Sequence, residues 1–126
     1  MSQKPDALNW TVLAAVAEAA GTGIILFVRP QLFSWLVFGA QLSDAGRALG
    51  QLTAIVIVGF VIVSWPAGAE HQVPSVRALM IYNLLAAIYL LYLAIGGNLA
   101  GVLLWPAVAV HVALASLLGR VWRAMR

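Results

Sequence analysis

The sequence contains no cysteine and very little charge. Of its 126 residues, seven are Lys or Arg and four are Asp or Glu, so that charged residues make up only 9% of the chain. A soluble domain averages about 25% charged and about 45–50% apolar residues. This chain is instead 63% hydrophobic, with a mean hydropathy of +0.99. So few charges cannot cover a water-facing surface, which excludes a soluble globular domain. We expect one domain embedded in a membrane.

The missing cysteine excludes disulfides, thiolate metal sites, a cysteine nucleophile, covalently attached haem and a lipoprotein anchor. The motifs HExxH, GxSxG, GxGxxG and the P-loop are missing as well, so we predict no catalytic residue and a non-enzymatic function. The pI of about 10.0 comes from the excess of basic over acidic residues. Because the basic residues do not form one broad patch, we expect no nucleic-acid partner.

Four apolar stretches each approach the roughly 20 residues that a membrane-spanning helix needs. They cover approximately residues 10–28, 48–65, 76–95 and 99–119. Helix-breaking Pro30, Pro66 and Pro74 lie just outside these stretches, and Gly96-Gly97-Asn98 is typical of a tight turn between the third and the fourth. Pro106 lies within the fourth stretch, where we expect it to free a backbone carbonyl and kink the helix.

Residues 30–40 form a fifth apolar stretch that is too short to cross a membrane. Pro30 can open a short helix, and Phe33, Trp35 and Phe38 are residue types that suit a membrane interface. We favour an interfacial or re-entrant helix here over an irregular loop. The predicted fold class is therefore all-α: an integral membrane four-helix bundle with a short interfacial helix after the first span.

The distribution of basic residues predicts the orientation in the membrane. Basic residues favour the cytoplasmic side, and they are divided five to two between the two sides of this chain. The larger group consists of Lys4, Arg77, Arg120, Arg123 and Arg126, and the smaller group of Arg29 and Arg47. We therefore expect a multi-pass protein of the bacterial inner membrane with both termini in the cytoplasm.

Three predicted spans each carry one notable polar residue: Glu18, Asn83 and His111. An ionisable residue at the centre of a membrane helix costs about 2.5–3.5 kcal/mol on insertion scales, so it normally faces a partner inside the bundle. All three residues lie roughly 10–13 Å from the same membrane side, and small side chains flank each of them on its helix face. Small residues let membrane helices approach closely. We therefore predict that the three side chains form one polar layer inside the bundle.

The role of this layer is open between two interpretations of equal weight. The three side chains could only hold the helices together, at roughly 0.6–2 kcal/mol per hydrogen bond. Alternatively they bind a ligand or exchange protons, because ionisable groups inside a membrane are functional candidates by default. Metal binding is disfavoured, because one His, one Glu and one Asn make a poor ligand set, and we predict no metal site.

Two weaker candidates lie outside the layer. Arg47 at the outer end of the second span could contact an anionic lipid headgroup, although a solvated interface arginine is the more common case. Tyr82, Tyr89 and Tyr92 form a stripe on the third span. We expect this stripe to face away from Asn83 and to contact lipid or neighbouring side chains.

The spans and the short apolar stretch follow one another in an order that is seen in a known group of proteins, and this order covers most of the chain. A first span ends in Arg29-Pro30, a short apolar stretch contains Leu32-Phe33 and Gly39, and the second span starts with Arg47-Ala48-Leu49-Gly50. This layout resembles small bacterial four-span membrane proteins of the DoxX-like type. The resemblance implies a four-span membrane fold, with an accessory-subunit role in some members.

A second resemblance is local. The segment Ala17-Glu18-Ala19-Ala20-Gly21-Thr22 is similar to the first-span motif of small multidrug resistance transporters. In that family the glutamate binds protons and cationic substrate in competition, and the resemblance would give this role to Glu18. We keep a proton-coupled transporter as the alternative function.

The main hypothesis is an accessory subunit or a module that binds a lipophilic ligand at Glu18, Asn83 and His111. We expect membrane lipid as a partner, with other membrane subunits or further copies of the chain as additional candidates, and the sequence identifies no cofactor.

Overall fold

A computed structural model describes residues 4–65 and 72–126, with side chains for residues 10–65 and 73–126. Over these residues the chain is helical, without strands, and the predicted all-α fold class is confirmed. The five helices, in chain order, are α1 Lys4–Val28, α2 Pro30–Phe38, α3 Asp44–Val63, α4 Gln72–Gly96 and α5 Leu104–Ala124.

Four of the helices, α1, α3, α4 and α5, are long and apolar enough to cross a membrane. Their outer faces expose many large aliphatic side chains, which a bilayer would cover. Tryptophans lie near the helix ends, as expected at membrane–water interfaces. Trp10, Trp65 and Trp122 lie near one end of the bundle, and Trp35 and Trp105 near the other. The chain therefore has the architecture of a multi-pass membrane protein.

Three helices begin earlier than the sequence predicts, and α1 is one of them, since it starts at Lys4 instead of about residue 10. Helix α3 starts at Asp44 instead of about 48, because the Ser43 hydroxyl caps it by accepting a hydrogen bond from the Gly46 backbone N–H at 3.0 Å. Helix α4 starts at Gln72 instead of about 76. Pro74 consequently lies in the first turn of α4, where its missing N–H breaks no helical hydrogen bond. Pro66, which is predicted to lie just outside the second span, lies outside the described residues.

The predicted bounds of the fourth span, 99–119, are wrong at both ends. Helix α5 starts at Leu104, because the N–H groups of Ala100 and Leu103 donate to carbonyls of α2 instead of entering a helix. Pro106 thus lies in the first turn of α5, where an N–H would have no helical partner, so the predicted kink lacks its cause. The helix continues through Gly119 to Ala124, with Arg123 in the last turn, where a cation favours the helix dipole.

Helix α2 ends at Phe38, two residues before the predicted end. Gly39 follows in the left-handed region at a φ of 67°, and its N–H donates to the Trp35 carbonyl. The backbone of Gly101 passes so close to this helix end that a Cβ would overlap the Val37 carbonyl group. Only glycine fits at this crossing, which joins α2 tightly to the segment before α5.

Helix α2 closes one end of the bundle. The Gln31 side chain both donates to and accepts from the backbone of Leu42, at 2.9 Å each, and Ser34 donates to the Ala40 carbonyl at 2.7 Å. These bonds fix α2 to the segment that leads into α3. Trp35 is exposed, as expected at an interface, but Phe33 and Phe38 are half-buried and contact each other edge to face. The two phenylalanines therefore pack partly inside the bundle, whereas Trp35 remains on its surface.

The long helices pack mainly as two pairs, α1 with α3 and α4 with α5. Gly23 of α1 permits a close approach to α3, since a Cβ there would lie 3.2 Å from Ile57 and Val58 side-chain atoms. Between the pairs, a hydrophobic core fills the end of the bundle opposite α2. Its buried members are Val12, Ala15, Val16, Ala19, Val61, Val76, Leu79, Leu114 and Leu118.

Candidate functional site

The structure brings Glu18, Asn83 and His111 together between the two helix pairs. His111 of α5 lies at the centre, with its Nδ1 2.8 Å from Asn83 Oδ1 and its Nε2 3.5 Å from Glu18 Oε1. Asn83 is fully buried, and the side chains of His111 and Glu18 are 8% and 16% exposed. Glu18 lies at the middle of the apolar span Trp10–Val28, so the layer lies deep in the membrane-spanning region.

Asn83 determines which nitrogen of His111 carries a hydrogen. The Asn83 Nδ2 group donates to the Leu79 carbonyl at 2.9 Å, which fixes the orientation of the amide. The Oδ1 atom that faces His111 is then an acceptor, so His111 Nδ1 must be the donor. Nε2 is left to face Glu18, as either a lone pair or a second N–H.

The two carboxylate oxygens of Glu18 have different surroundings. Oε1 accepts a hydrogen bond from the Thr22 hydroxyl at 3.0 Å, one helical turn along α1, and also faces His111 Nε2. Oε2 is buried and has no hydrogen-bond partner among the described residues. A buried carboxylate oxygen without a partner is costly, so Glu18 retains an unused capacity to accept a hydrogen bond.

Tyr82 adjoins the layer, contrary to the expectation for the tyrosine stripe. Its ring lies edge-on to His111 at 5.8 Å between centroids and contacts Phe60 at 5.3 Å. Tyr89 and Tyr92 are exposed and stack on each other, as expected for a lipid-facing pair. The sequence contains one sign that Tyr82 lies near the layer, namely that it precedes Asn83 directly. Helical periodicity alone, however, places the two side chains on different faces of the helix.

A cavity of about 280 Å³ lies between the polar layer and α2. Glu18 and His111 form its polar floor together with Thr22, and Phe33 and Val37 of α2 contribute to its roof. The remaining lining is apolar and comes from Ile25, Leu36, Leu90, Leu103, Pro106, Ala107 and Val110. The contributions of Thr22 and of the α2 residues leave no pattern in the sequence by which they could be predicted.

The cavity opens towards the outer surface of the bundle between α1 and α5. Ile25 and Val110, which line it from these two helices, are 46% and 45% exposed. In a membrane this surface contacts lipid. The structure therefore gives a lipophilic molecule a lateral route to Glu18 and His111.

A second cavity of about 340 Å³ lies on the other side of α1, also beneath α2. Thr22, Phe33 and Leu90 line both cavities, so these three side chains separate the two spaces. The second cavity is bordered further by α3 and α4, and the exposed Tyr89 lies on its rim. Two separate cavities thus lie beneath α2, with Thr22, Phe33 and Leu90 in the wall between them.

The other predicted contact residue, Arg47, lies away from the layer on the first turn of α3. Its guanidinium is 3.6 Å from Asp44, and both side chains are largely exposed. Such a surface pair contributes little stability, and the headgroup contact of Arg47 stays a prediction. Among the described residues, no three His, Cys, Asp or Glu side chains lie close enough together to hold a metal ion.

No family model, curated protein or solved structure matches this chain. The similarity to DoxX-like proteins and to small multidrug resistance transporters therefore stays a prediction. What the chain does has to be inferred from its fold and from the geometry around Glu18.

Proposed function

We propose that this protein is a non-enzymatic membrane module that binds a lipophilic ligand between the polar layer and α2. The observation that carries the proposal is that Glu18 and His111 line one end of an otherwise apolar cavity. Small-molecule sites are typically apolar pockets with a few polar groups that fix the orientation of the ligand. The cavity, with Glu18 and His111 at one end, fits this description.

A purely structural layer would not require this arrangement. Interhelical hydrogen bonds alone are served best when every polar atom has a partner and the neighbouring side chains pack around them. Asn83 meets both conditions, whereas Glu18 keeps one enclosed oxygen unpaired and also lines a cavity. The contrast supports a division of roles in which Asn83 positions His111 and Glu18 contacts the ligand.

Cavity occupancy can be measured with a single reporter, because the chain contains no cysteine. Ala107→Cys, labelled with a trifluoromethyl group, places a fluorine label in the wall of the cavity. Val56→Cys is the matched control, since Val56 is 64% exposed on the outer face of α3. Both variants are reconstituted in nanodiscs and titrated with dodecan-1-ol while ¹⁹F NMR spectra are recorded.

We expect a saturable change in the ¹⁹F signal at position 107 and a small, linear change at position 56. Saturation indicates a site with a fixed number of places, whereas a linear response reports partitioning into the lipid. Equal, linear responses at the two positions would contradict the proposed function.

We further propose an inner-membrane location with both termini in the cytoplasm. Four of the six basic residues with described side chains lie at the end opposite α2, namely Arg77, Arg120, Arg123 and Arg126. The side chain of Lys4 lies outside the described residues. In this orientation the cavity faces the outer leaflet.

In intact cells, a cysteine at Asn98 should react with an impermeant thiol reagent and one at Arg126 should not; the reverse pattern would overturn the orientation.

The alternative function is proton-coupled transport of a cation through Glu18. The exposure of Glu18 to a cavity favours it, since a transported substrate has to reach the carboxylate. Transport also requires access from the opposite side of the membrane. In this conformation the core around Leu79, Leu114 and Leu118 closes that side. A ligand-binding module needs no second opening, which is why we favour it.

A further inference from the structure

We propose that the ligand enters the cavity tail-first: a single hydrocarbon chain fills the space between the polar floor and α2, and the head group stays outside in the membrane. The ligand class is therefore a single-chain lipophilic molecule that is recognised by its chain and not by its head group. The inference rests on the proposed function and names the part of the ligand that the cavity binds.

The side chains of the polar floor form their hydrogen bonds with protein groups. The Thr22 hydroxyl donates to Glu18 Oε1 at 3.0 Å, and His111 Nδ1 donates to Asn83 Oδ1 at 2.8 Å. His111 Nε2 faces Glu18 Oε1 at 3.5 Å. The unpaired Glu18 Oε2 is enclosed by protein, so a molecule in the cavity cannot reach it. The side chains of the floor therefore leave no hydrogen-bond donor free for a ligand.

The backbone that borders the cavity at its α2 end is engaged as well. The Leu36 carbonyl accepts a hydrogen bond from the Leu103 N–H at 2.8 Å, and the Leu103 carbonyl accepts one from the Ala107 N–H at 2.8 Å. Pro106, which also lines the cavity, has no N–H. A head group buried here would lose its hydration without gaining protein partners, which is unfavourable. A hydrocarbon chain carries no such cost.

The position of the opening suits a chain that enters from the lipid. The cavity reaches the lipid-facing surface between Ile25 and Val110. Ile25 lies less than one helical turn from the end of α1 at Val28, so the opening is close to the end of the membrane-spanning segment. Glu18 lies about two turns further along α1, which is roughly 10 Å deeper at 1.5 Å per residue. A chain can follow this path while its head group stays near the interface.

The size of the cavity suits one chain. A volume of about 280 Å³ is at the lower end of the range for small-molecule sites, which runs from about 300 to 1,000 Å³. Side chains around an empty apolar space lack contact partners on one side, and an inserted chain restores these contacts. The binding free energy therefore comes from packing along the chain, which is the same for every head group.

Three probes with the same twelve-carbon chain test this independence of the head group: dodecane, dodecan-1-ol and dodecyltrimethylammonium. Their apparent Kd values, as mole fractions in nanodisc lipid, are measured with the fluorine reporter at position 107. We expect the three values to agree within about threefold, because the shared chain makes the contacts. The cation should release no protons when it binds, since its head group does not approach Glu18.

Two substitutions on α5 provide a matched pair. Val110 and Val112 are similarly exposed at the surface of the bundle, but Val110 lines the cavity and Val112 does not. Val110→Phe narrows the opening and should weaken the binding of all three probes by at least about fivefold. Val112→Phe makes the same change where the side chain meets lipid, so the three Kd values should stay within about twofold of the original.

The possible results separate this inference from the proposed function. Saturable binding with a larger spread among the three probes would overturn the tail-first inference and leave the proposed function standing. Tightest binding by the cation, together with proton release, would overturn the inference in favour of the transporter. Equal effects of Val110→Phe and Val112→Phe would contradict entry between α1 and α5. An absence of saturable binding by all three probes would overturn both proposals. If Val110→Phe does not fold, the comparison of the three probes still decides the question.

Discussion

The two ends of the helix bundle are built differently, although the same four long helices form both. At the end that holds the termini, Val12, Leu79 and Leu118 are fully or almost fully buried in one continuous core. Beneath α2, the same helices leave cavities of about 280 and 340 Å³. The Glu18–His111–Asn83 layer lies at the boundary between the two regions.

The difference shows how a small membrane protein can combine a stable fold with a binding site. Membrane helices associate through close packing and hydrogen bonds, since lipid removes most of the hydrophobic driving force between them. The packed end supplies those contacts. At the other end, α2 is held by backbone hydrogen bonds from Ala100 and Leu103 and lies between the helix ends. Helix α2 contacts both helix pairs there, through α1, α3 and α5.

The largest expected effect is in the packed end. Leu79→Ala removes a fully buried side chain from the core and should lower the free energy of unfolding by about 2–5 kcal/mol. Leu90→Ala makes the same chemical change where the side chain already borders two cavities. Fewer packing contacts are lost there, so the cost should be less than half as large. Both variants are compared by reversible unfolding in bicelles.

The control for this comparison is Val56→Ala, on the exposed outer face of α3, which should change stability little. Equal losses for Leu79→Ala and Leu90→Ala would mean that the space beneath α2 is as tightly packed as the core. The comparison between the two ends of the bundle would then fail.

Much of the fold could be predicted from the sequence, because apolar length alone identifies membrane-spanning helices. The meeting of Glu18, Asn83 and His111 could be predicted as well, from equal depth and from small neighbouring residues. Helix ends were less predictable. The start of α5 at Leu104 depends on hydrogen bonds between Ala100, Leu103 and α2, and such contacts between distant segments leave no periodic pattern.

The cavity could not be predicted for a related reason. Its roof depends on Phe33 facing inward, although an aromatic residue in a short apolar stretch equally suits a membrane interface. The unpaired state of Glu18 Oε2 depends on where Thr22 and His111 place their donors, which requires coordinates. The sequence pattern predicts which residues form the layer, but it does not predict which of them contact each other.

The most direct test of the central claim, that Glu18 and His111 act as one pair at the floor of the cavity, is a double-mutant cycle. Unfolding free energies are measured in bicelles for the original chain, Glu18→Ala, His111→Leu and the double variant. Glu18→Ala leaves His111 Nε2 unpaired and should cost about 1–3 kcal/mol. Adding His111→Leu should recover part of that loss, with a coupling energy of at least about 0.5 kcal/mol. Strictly additive effects would show that the two residues do not interact and would contradict the proposed site.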